Sequence, residues 1–184
     1  RPIRRFGKPD EDADLRRTCM CDAGTNVLRY VGIKGENGED FPYEIGRDIC
    51  EQNKIGPNIS IRTVGFFLRK WGFNITTSRR QFVSTKKKEP KKNIFAKKEG
   101  MYFVLVSYCN EDEDDSEASD DDRHVFLLCA KDRFLSDAYG GIQFTVEEGG
   151  NMATMKQVIK EFLCCDVKYT IRNVWEIKKQ KEKK

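Results

Sequence analysis

The spacing of apolar residues changes along the chain, and this change restricts the fold more than any other feature. Before residue 73 apolar side chains recur at helical intervals, whereas from Met101 onward they form short runs that are typical of strands. Helices followed by strands, with no internal repeat, predict an α+β domain whose N-terminal helices pack on a mostly antiparallel sheet. The 184 residues are enough for one such domain with a substantial core.

Three helices are predicted in the first part of the chain. The first has Thr18 as its N-cap and Cys19 as its first residue, and Gly32 ends it. The second helix opens at Pro42. The third begins near Ser60 and is followed directly by a strand over Phe73–Thr77, with a glycine between them that closes the helix.

Strand-like segments account for most of the remaining chain. Residues 78–99 are polar and rich in lysine and are predicted to form a loop, and a fourth helix is predicted over residues 153–163. The predicted strands after Met101 cover residues 102–109, 124–130, 133–138, a short segment at 142–146, and 167–177.

The net charge of +4 hides a strong segregation of charge along the chain. Residues 1–8, 86–92 and 178–184 are basic, whereas residues 111–122 are acidic, and such blocks are typical of solvated loops and tails. The acidic block also ends beside His124, where carboxylates would favour the protonated imidazole and could recruit a basic partner. Nucleic-acid binding is disfavoured because the lysine run lacks interleaved aromatic residues.

The domain boundaries and the cellular setting are predicted from the same composition. Residues 1–13 are interpreted as an exposed lead-in, 14–178 as one domain and 179–184 as a basic tail. We find neither an apolar run long enough to cross a membrane nor a secretory signal. Seven cysteines without a framework of separated pairs indicate free thiols in a reducing compartment, the cytoplasm or the nucleus. With one histidine and no C-x-x-C pair, we predict no metal site and no cofactor.

Cys19 is the candidate nucleophile in this chain. At a helix start, its thiol would have a lowered pKa, and its backbone N–H could receive an oxyanion. Cys21 shares the helix but points about 200° away from Cys19, so it is not expected to be the nucleophile. The alternative is that Cys19 is a small buried residue that happens to open a helix.

A thiol nucleophile needs a base, and His124 is the only histidine in the sequence. It stands at the start of a predicted strand. If Lys131 and Asp132 form a two-residue hairpin turn, Asp137 lies on the same face as His124, diagonally opposite at about 7–8 Å, and can orient the imidazole. A three-residue turn would move Asp137 to the other face. The alternatives are a strand-end histidine and a turn carboxylate without a role.

These features resemble papain-like (clan CA) cysteine peptidases, and they are most similar to the Josephin deubiquitinases. Cys19 is followed by the segment Asn26-Val27-Leu28, and His124 leads a strand of a hairpin that carries Asp137. The third helix has the family's Ser-Ile…Trp-Gly pattern, here Ser60-Ile61…Trp71-Gly72. The resemblance spans residues 14–178 in short islands and implies a papain-like fold. It also implies that Cys19 is the nucleophile, His124 the general base and acid, and Asp137 the orienting acid.

The resemblance implies a thiol protease, a hydrolase of peptide or isopeptide bonds. Its substrate would be a protein, such as a ubiquitin-like conjugate of the ubiquitin conjugation pathway or a precursor polyprotein. The family's glutamine before the cysteine is missing, and Asp14 stands near its place. The family's helical insertion is shortened to residues 41–53. These departures favour the alternative, a catalytically weak or inactive peptidase fold that serves as a binding or structural subunit.

Overall fold

The computed structural model describes residues 9–83, 93–110, 123–138, 140–144, 160, 162 and 167–181. A short 3₁₀ turn over Ile94–Ala96 precedes the second strand. The α-helices among these residues are α1 (Pro9–Tyr30), α2 (Tyr43–Asn53), α3 (Ile61–Arg69) and the single turn α4 (Arg79–Phe82).

The strands form one antiparallel sheet. Its order is β1-β6-β2-β3-β4-β5, and every neighbouring pair is antiparallel. The predicted α+β class is therefore confirmed. The strands are β1 (Phe73–Thr77), β2 (Met101–Asn110), β3 (Arg123–Cys129), β4 (Phe134–Asp137), β5 (Gly140–Gln143) and β6 (Val167–Lys179).

The predicted start of the first helix is wrong. The helix begins at Pro9, so Cys19 lies roughly three turns inside it, and Thr18 is a helical residue rather than an N-cap. The run before Thr18 lacks an apolar face, which is why it was expected to be a lead-in. It nevertheless carries the signals of a helix start, because Pro9 suits the first helical position and Asp10 and Glu11 suit the positive end of the helix dipole.

Other boundaries follow the local signals. Pro42 precedes α2, and Ser60, in an extended conformation, precedes α3, as predicted. Gly72 has a φ of +84°, a left-handed conformation in which glycine is not strained, and β1 begins at the next residue. These predictions are confirmed because each depends on residues adjacent to the boundary.

Both faces of the sheet are buried. In β3, Val125 and Leu127 pack on the side of α1, α2 and α3, together with Val27, Phe67 and Trp175 among others. Phe126 and Leu128 point to the opposite side and pack with residues that include Phe82, Ile94 and Phe95. The alternation of side chains along the strand thus produces two cores, one on each face.

The region predicted to be a loop contains ordered, buried residues. Phe82 in α4 and both Ile94 and Phe95 in the 3₁₀ turn are buried against the sheet, so the prediction for residues 78–99 is wrong in its described parts. Because this stretch of sequence is rich in lysine, its composition does not indicate that these three apolar residues are buried.

Several predicted segments lie outside the described residues. They are residues 1–8, 84–92, 111–122, 145–159 and 182–184, with Tyr139 and the thiol pair Cys164 and Cys165. The basic lead-in, the lysine run, the acidic block and nearly all of the predicted fourth helix fall there. No helix in the described part of the chain has the length and apolar character needed to span a bilayer.

The β3–β4 turn has the predicted form. Arg133 N–H donates to the carbonyl of Ala130, which leaves Lys131 and Asp132 as the two central residues. Leu127 pairs with Ser136, and this register, continued by one residue, places Asp137 opposite Phe126.

Two glycines let α1 approach its helical neighbours closely. A Cβ at Gly24 would lie 2.9 Å from Val64 Cγ1 of α3, and one at Gly46 of α2 would lie well inside van der Waals contact with Thr25 Oγ1 of α1. In contrast, a Cβ at Gly65 would meet Ile75 Cδ1 at 3.9 Å, an ordinary contact.

We therefore expect Gly46→Ala and Gly65→Ala to have opposite effects on stability. Alanine normally stabilises a helix interior by about 0.5–1 kcal/mol relative to glycine, and this gain should appear at Gly65. At Gly46 the clash with the buried Thr25 should dominate and lower the free energy of unfolding by about 1–3 kcal/mol. Urea denaturation of both variants measures the difference. A gain in stability from Gly46→Ala would contradict the close approach of α1 and α2.

Candidate active site

The sheet brings His124 and Asp137 into direct contact. His124 Nε2 lies 2.9 Å from Asp137 Oδ2, and each residue is only 4% exposed. The first residues of β3 and the last residue of β4 come together because the two strands form an antiparallel hairpin. The prediction that a two-residue turn would place the two side chains on one face is confirmed.

The surroundings of His124 are apolar on one side. Its ring packs edge-on against Phe126, with the centroids 4.7 Å apart, and Phe126 packs in the same manner on Phe162. A hydrogen bond is stronger in such a medium than in water. Because Nε2 faces the Asp137 carboxylate, Nδ1 is the nitrogen through which this imidazole could exchange a proton with a thiol.

The helical turn that follows Cys19 on α1 lies close to Asp137, because the charge of Asp137 contributes to the raised pKa of Asp22. The Tyr30 hydroxyl, at the end of α1, donates to Asp132 in the β3–β4 turn, and α1 packs along β3 and β4. Cys19 is about 17 Å before Tyr30 along the helix, and His124 is about 20 Å before Ala130 along the strand. The turn of the helix that carries Cys19 is therefore near the end of the hairpin that carries the His124–Asp137 pair.

Strand alternation restricts how Cys19 and His124 can meet. Val125 packs on the side of α1, whereas His124, like Phe126, belongs to the opposite face of the hairpin. Partly buried Cys19 packs against the core on the α1 side. His124 is the second residue of β3, so a contact between the two side chains would form at the end of the sheet where β3 begins.

A buried ion pair lies one helical turn from Cys19, and sequence reasoning missed it. Arg47 donates to both carboxylate oxygens of Asp22, Nε to Oδ1 at 2.9 Å and Nη2 to Oδ2 at 3.1 Å, and Thr18 Oγ1 also donates to Oδ2 at 3.1 Å. Burial raises the pKa of Asp22, the bonds from Arg47 and Thr18 oppose this rise, and the charge of Asp137 adds to it. Asp22 and Asp137 are thus electrostatic neighbours.

The same ion pair raises the pKa of Arg47, chiefly through its hydrogen bond to Asp22. Burial disfavours the charge of Asp22 more than that of Arg47, because the Asp22 side chain is 3% exposed and that of Arg47 is 34% exposed. The positive charge therefore stays on Arg47, and the pair holds α2 against α1.

Further polar contacts join α1 to α2 and to the segment just before it. The Tyr43 hydroxyl donates to Asn26 Oδ1 at 2.5 Å, and Arg29 Nε donates to the carbonyl of Phe41 at 2.8 Å. The Arg29 guanidinium lies 4.0 Å above the centre of the Tyr43 ring. A recognisable signal was present in the sequence, since Asp22 and Asn26 on α1 are four residues apart, as are Tyr43 and Arg47 on α2.

Cys21 is unsuited to be the nucleophile, as predicted. Its Sγ donates to the carbonyl of Thr18 at 3.0 Å, and the residue is fully buried. The hydrogen bond between the Cys21 and Cys50 thiols and burial raise the pKa of Cys21, and the Asp22 charge adds to this rise. In Cys129, burial raises the pKa to about 12. Neither thiol would be ionised near neutral pH.

The described residues include no cluster of three or more histidine, cysteine or carboxylate side chains that could hold a metal ion. Comparison with protein-family models, with curated proteins and with solved structures finds no match for this chain. The class that the described fold defines is an α+β protein with helices on an antiparallel sheet.

We expect the buried His124–Asp137 contact to contribute measurably to stability. Asp137→Ala removes a charged hydrogen-bond partner from a buried imidazole and should lower the free energy of unfolding by about 1–3 kcal/mol. Asp48→Ala, at an exposed position of α2, is the matched control and should change it by less than about 0.5 kcal/mol. Both are measured by urea denaturation at neutral pH. Equal effects of the two substitutions would show that the contact is absent in solution.

Proposed function

We propose that this protein is a thiol-dependent hydrolase of peptide or isopeptide bonds with a papain-like arrangement of Cys19, His124 and Asp137. The buried hydrogen bond between His124 and Asp137 carries the proposal, because a carboxylate that orients a lone histidine is the arrangement that a thiol nucleophile requires. The position of Cys19 on α1 supports it, because Asp22 is one turn further along the helix and is close enough to Asp137 for the charge of Asp137 to raise its pKa.

The reaction follows from these three side chains. His124 accepts the thiol proton through Nδ1, and the Cys19 sulfur attacks the carbonyl carbon of the scissile bond. The protonated imidazole gives its proton to the leaving amine as the C–N bond breaks, which leaves a thioester. Water, deprotonated by the same imidazole, then cleaves the thioester and restores the thiol. Asp137 keeps the ring oriented and stabilises the imidazolium.

The proposed substrate class rests on the short sequence segments that resemble the Josephin deubiquitinases. We propose that the substrate is a protein, with ubiquitin-like conjugates as the first class to test and a precursor polyprotein as the second. The free-thiol pattern supports an intracellular setting, cytoplasmic or nuclear.

A ubiquitin probe with a thiol-reactive C-terminus tests the proposal. Wild type should form a covalent adduct at Cys19, and Cys19→Ala should form none because it lacks the attacking sulfur. His124→Ala should react at least about 100-fold more slowly, because the thiol loses its base. The adduct is detected by gel shift, and its site by peptide mass spectrometry.

Cys21→Ala is the matched control for this experiment. It removes a thiol from the same helix that is buried and protonated, so labelling of a folded Cys21→Ala variant should equal that of wild type. Labelling that survives Cys19→Ala, or that depends on Cys21, would contradict the assignment of the nucleophile.

A second candidate function is supported by the extent of α1. Because the helix runs through Cys19, the backbone N–H of this residue lies in the helix interior, where such groups bond the carbonyl four residues earlier and are not available to an oxyanion. We propose as the alternative a peptidase-like fold that serves as a binding or structural subunit. Folded wild-type protein that reacts with neither ubiquitin nor peptide probes would favour this alternative.

A further inference from the structure

Two buried carboxylates share the junction of α1, α2 and the β3–β4 hairpin. Asp137 bonds His124, and Asp22 bonds Arg47 through both of its oxygens. Asp22 is only 2% exposed, so water cannot screen its negative charge. A buried carboxylate at this place needs a fixed counter-charge, and Arg47 supplies it.

Cys19 is one turn from Asp22 on the same helix. Residues three apart on a helix are neighbours, with their Cβ atoms about 5–6 Å apart, so the thiol of Cys19 lies beside the ion pair. The other titratable or charged groups around this turn are Cys21 and Arg29 on α1, Tyr43, Glu44 and Cys50 on α2, and His124 and Asp137 on the hairpin. Arg29 lies against the Tyr43 ring, whereas Arg47 is the arginine that hydrogen-bonds Asp22.

We propose that Asp22 and Arg47 form a positioning pair for the candidate site, in which Arg47 holds α2 against α1 and neutralises a carboxylate that would otherwise face Cys19 and Asp137 as a second buried negative charge. The role of this pair in catalysis rests on the proposed function. Its effect on the pKa of the Cys19 thiol does not.

The consequence for the thiol has a definite sign. Loss of Arg47 leaves the Asp22 charge unbalanced, and a nearby negative charge disfavours the thiolate, so the pKa of Cys19 rises. Loss of the Asp22 charge leaves Arg47 unbalanced, and a nearby positive charge favours the thiolate, so this pKa falls. Loss of both charges should restore the original value. A purely structural role of the pair would not produce opposite shifts that cancel.

The test is the pH profile of alkylation of Cys19 by iodoacetamide, followed by peptide mass spectrometry. We expect Arg47→Met to move the midpoint upward by about one pH unit and Asp22→Asn to move it downward by a similar amount. The double variant should lie within about 0.3 units of wild type. Arg62→Met, which removes an exposed arginine of α3, is the charge control and should leave the profile unchanged.

Folding of each variant is checked by circular dichroism. If Arg47→Met does not fold because a buried charge has lost its partner, the downward shift in Asp22→Asn and its reversal in the double variant decide the question. Midpoints that do not move, or that move in the same direction in both single variants, overturn the proposal. If the shifts appear as expected but wild type shows no reaction with any substrate probe, the positioning pair stands and the hydrolase proposal fails.

Discussion

The packing of α1 on the β3–β4 hairpin is the contact on which the rest of the structure depends. One side of α1 covers the face of β3 that carries Val125 and Leu127, and its C-terminal residue Tyr30 bonds the hairpin turn. This contact also brings the turn of α1 that carries Asp22 close enough to Asp137 for their charges to interact. Without this contact, nothing would hold α1, which carries Cys19, near the hairpin that carries His124 and Asp137.

The two other helices bind α1 by different means. Towards α3 the contact is apolar and close, because Gly24 admits Val64 and Phe67 to the helix surface. Towards α2 it combines a close approach at Gly46 with a row of polar bonds from Asp22, Asn26 and Arg29. Apolar burial stabilises a contact without specifying its register, whereas an ion pair and hydrogen bonds leave buried charges unpaired if the register slips. The polar row therefore specifies the register of α2 against α1.

Much of the fold was predictable because it depends on neighbours in sequence. The Lys131-Asp132 turn determines the face of Asp137, and the residues at Pro42, Ser60 and Gly72 mark element boundaries by their own conformational preferences. The class of fold followed from the change in apolar spacing. The contact of His124 with Asp137 followed from strand register, which needs no knowledge of the tertiary structure.

What could not be predicted depends on tertiary contacts or on competing local signals. The Asp22–Arg47 pair joins two helices whose relative position the sequence does not contain. Phe82, Ile94 and Phe95 belong to a core because they pack on one face of the sheet, although their neighbours in sequence are polar. At the start of α1, Thr18 has the chemistry of an N-cap, but Pro9 and the acidic residues after it are also a helix start, and the longer helix formed.

This competition at the start of α1 also separates the two candidate functions. A helix that begins at Thr18 would release the N–H of Cys19 for an oxyanion and lower the pKa of its thiol, whereas a helix that begins at Pro9 removes both advantages. Thr18 Oγ1 donates a hydrogen bond to Asp22. If Thr18 were an N-cap, the same oxygen would instead accept a hydrogen bond from a backbone N–H. Asp22 is also bound by Arg47 of α2. An active enzyme with this helix intact would therefore need its oxyanion donor from a group outside the interior of α1.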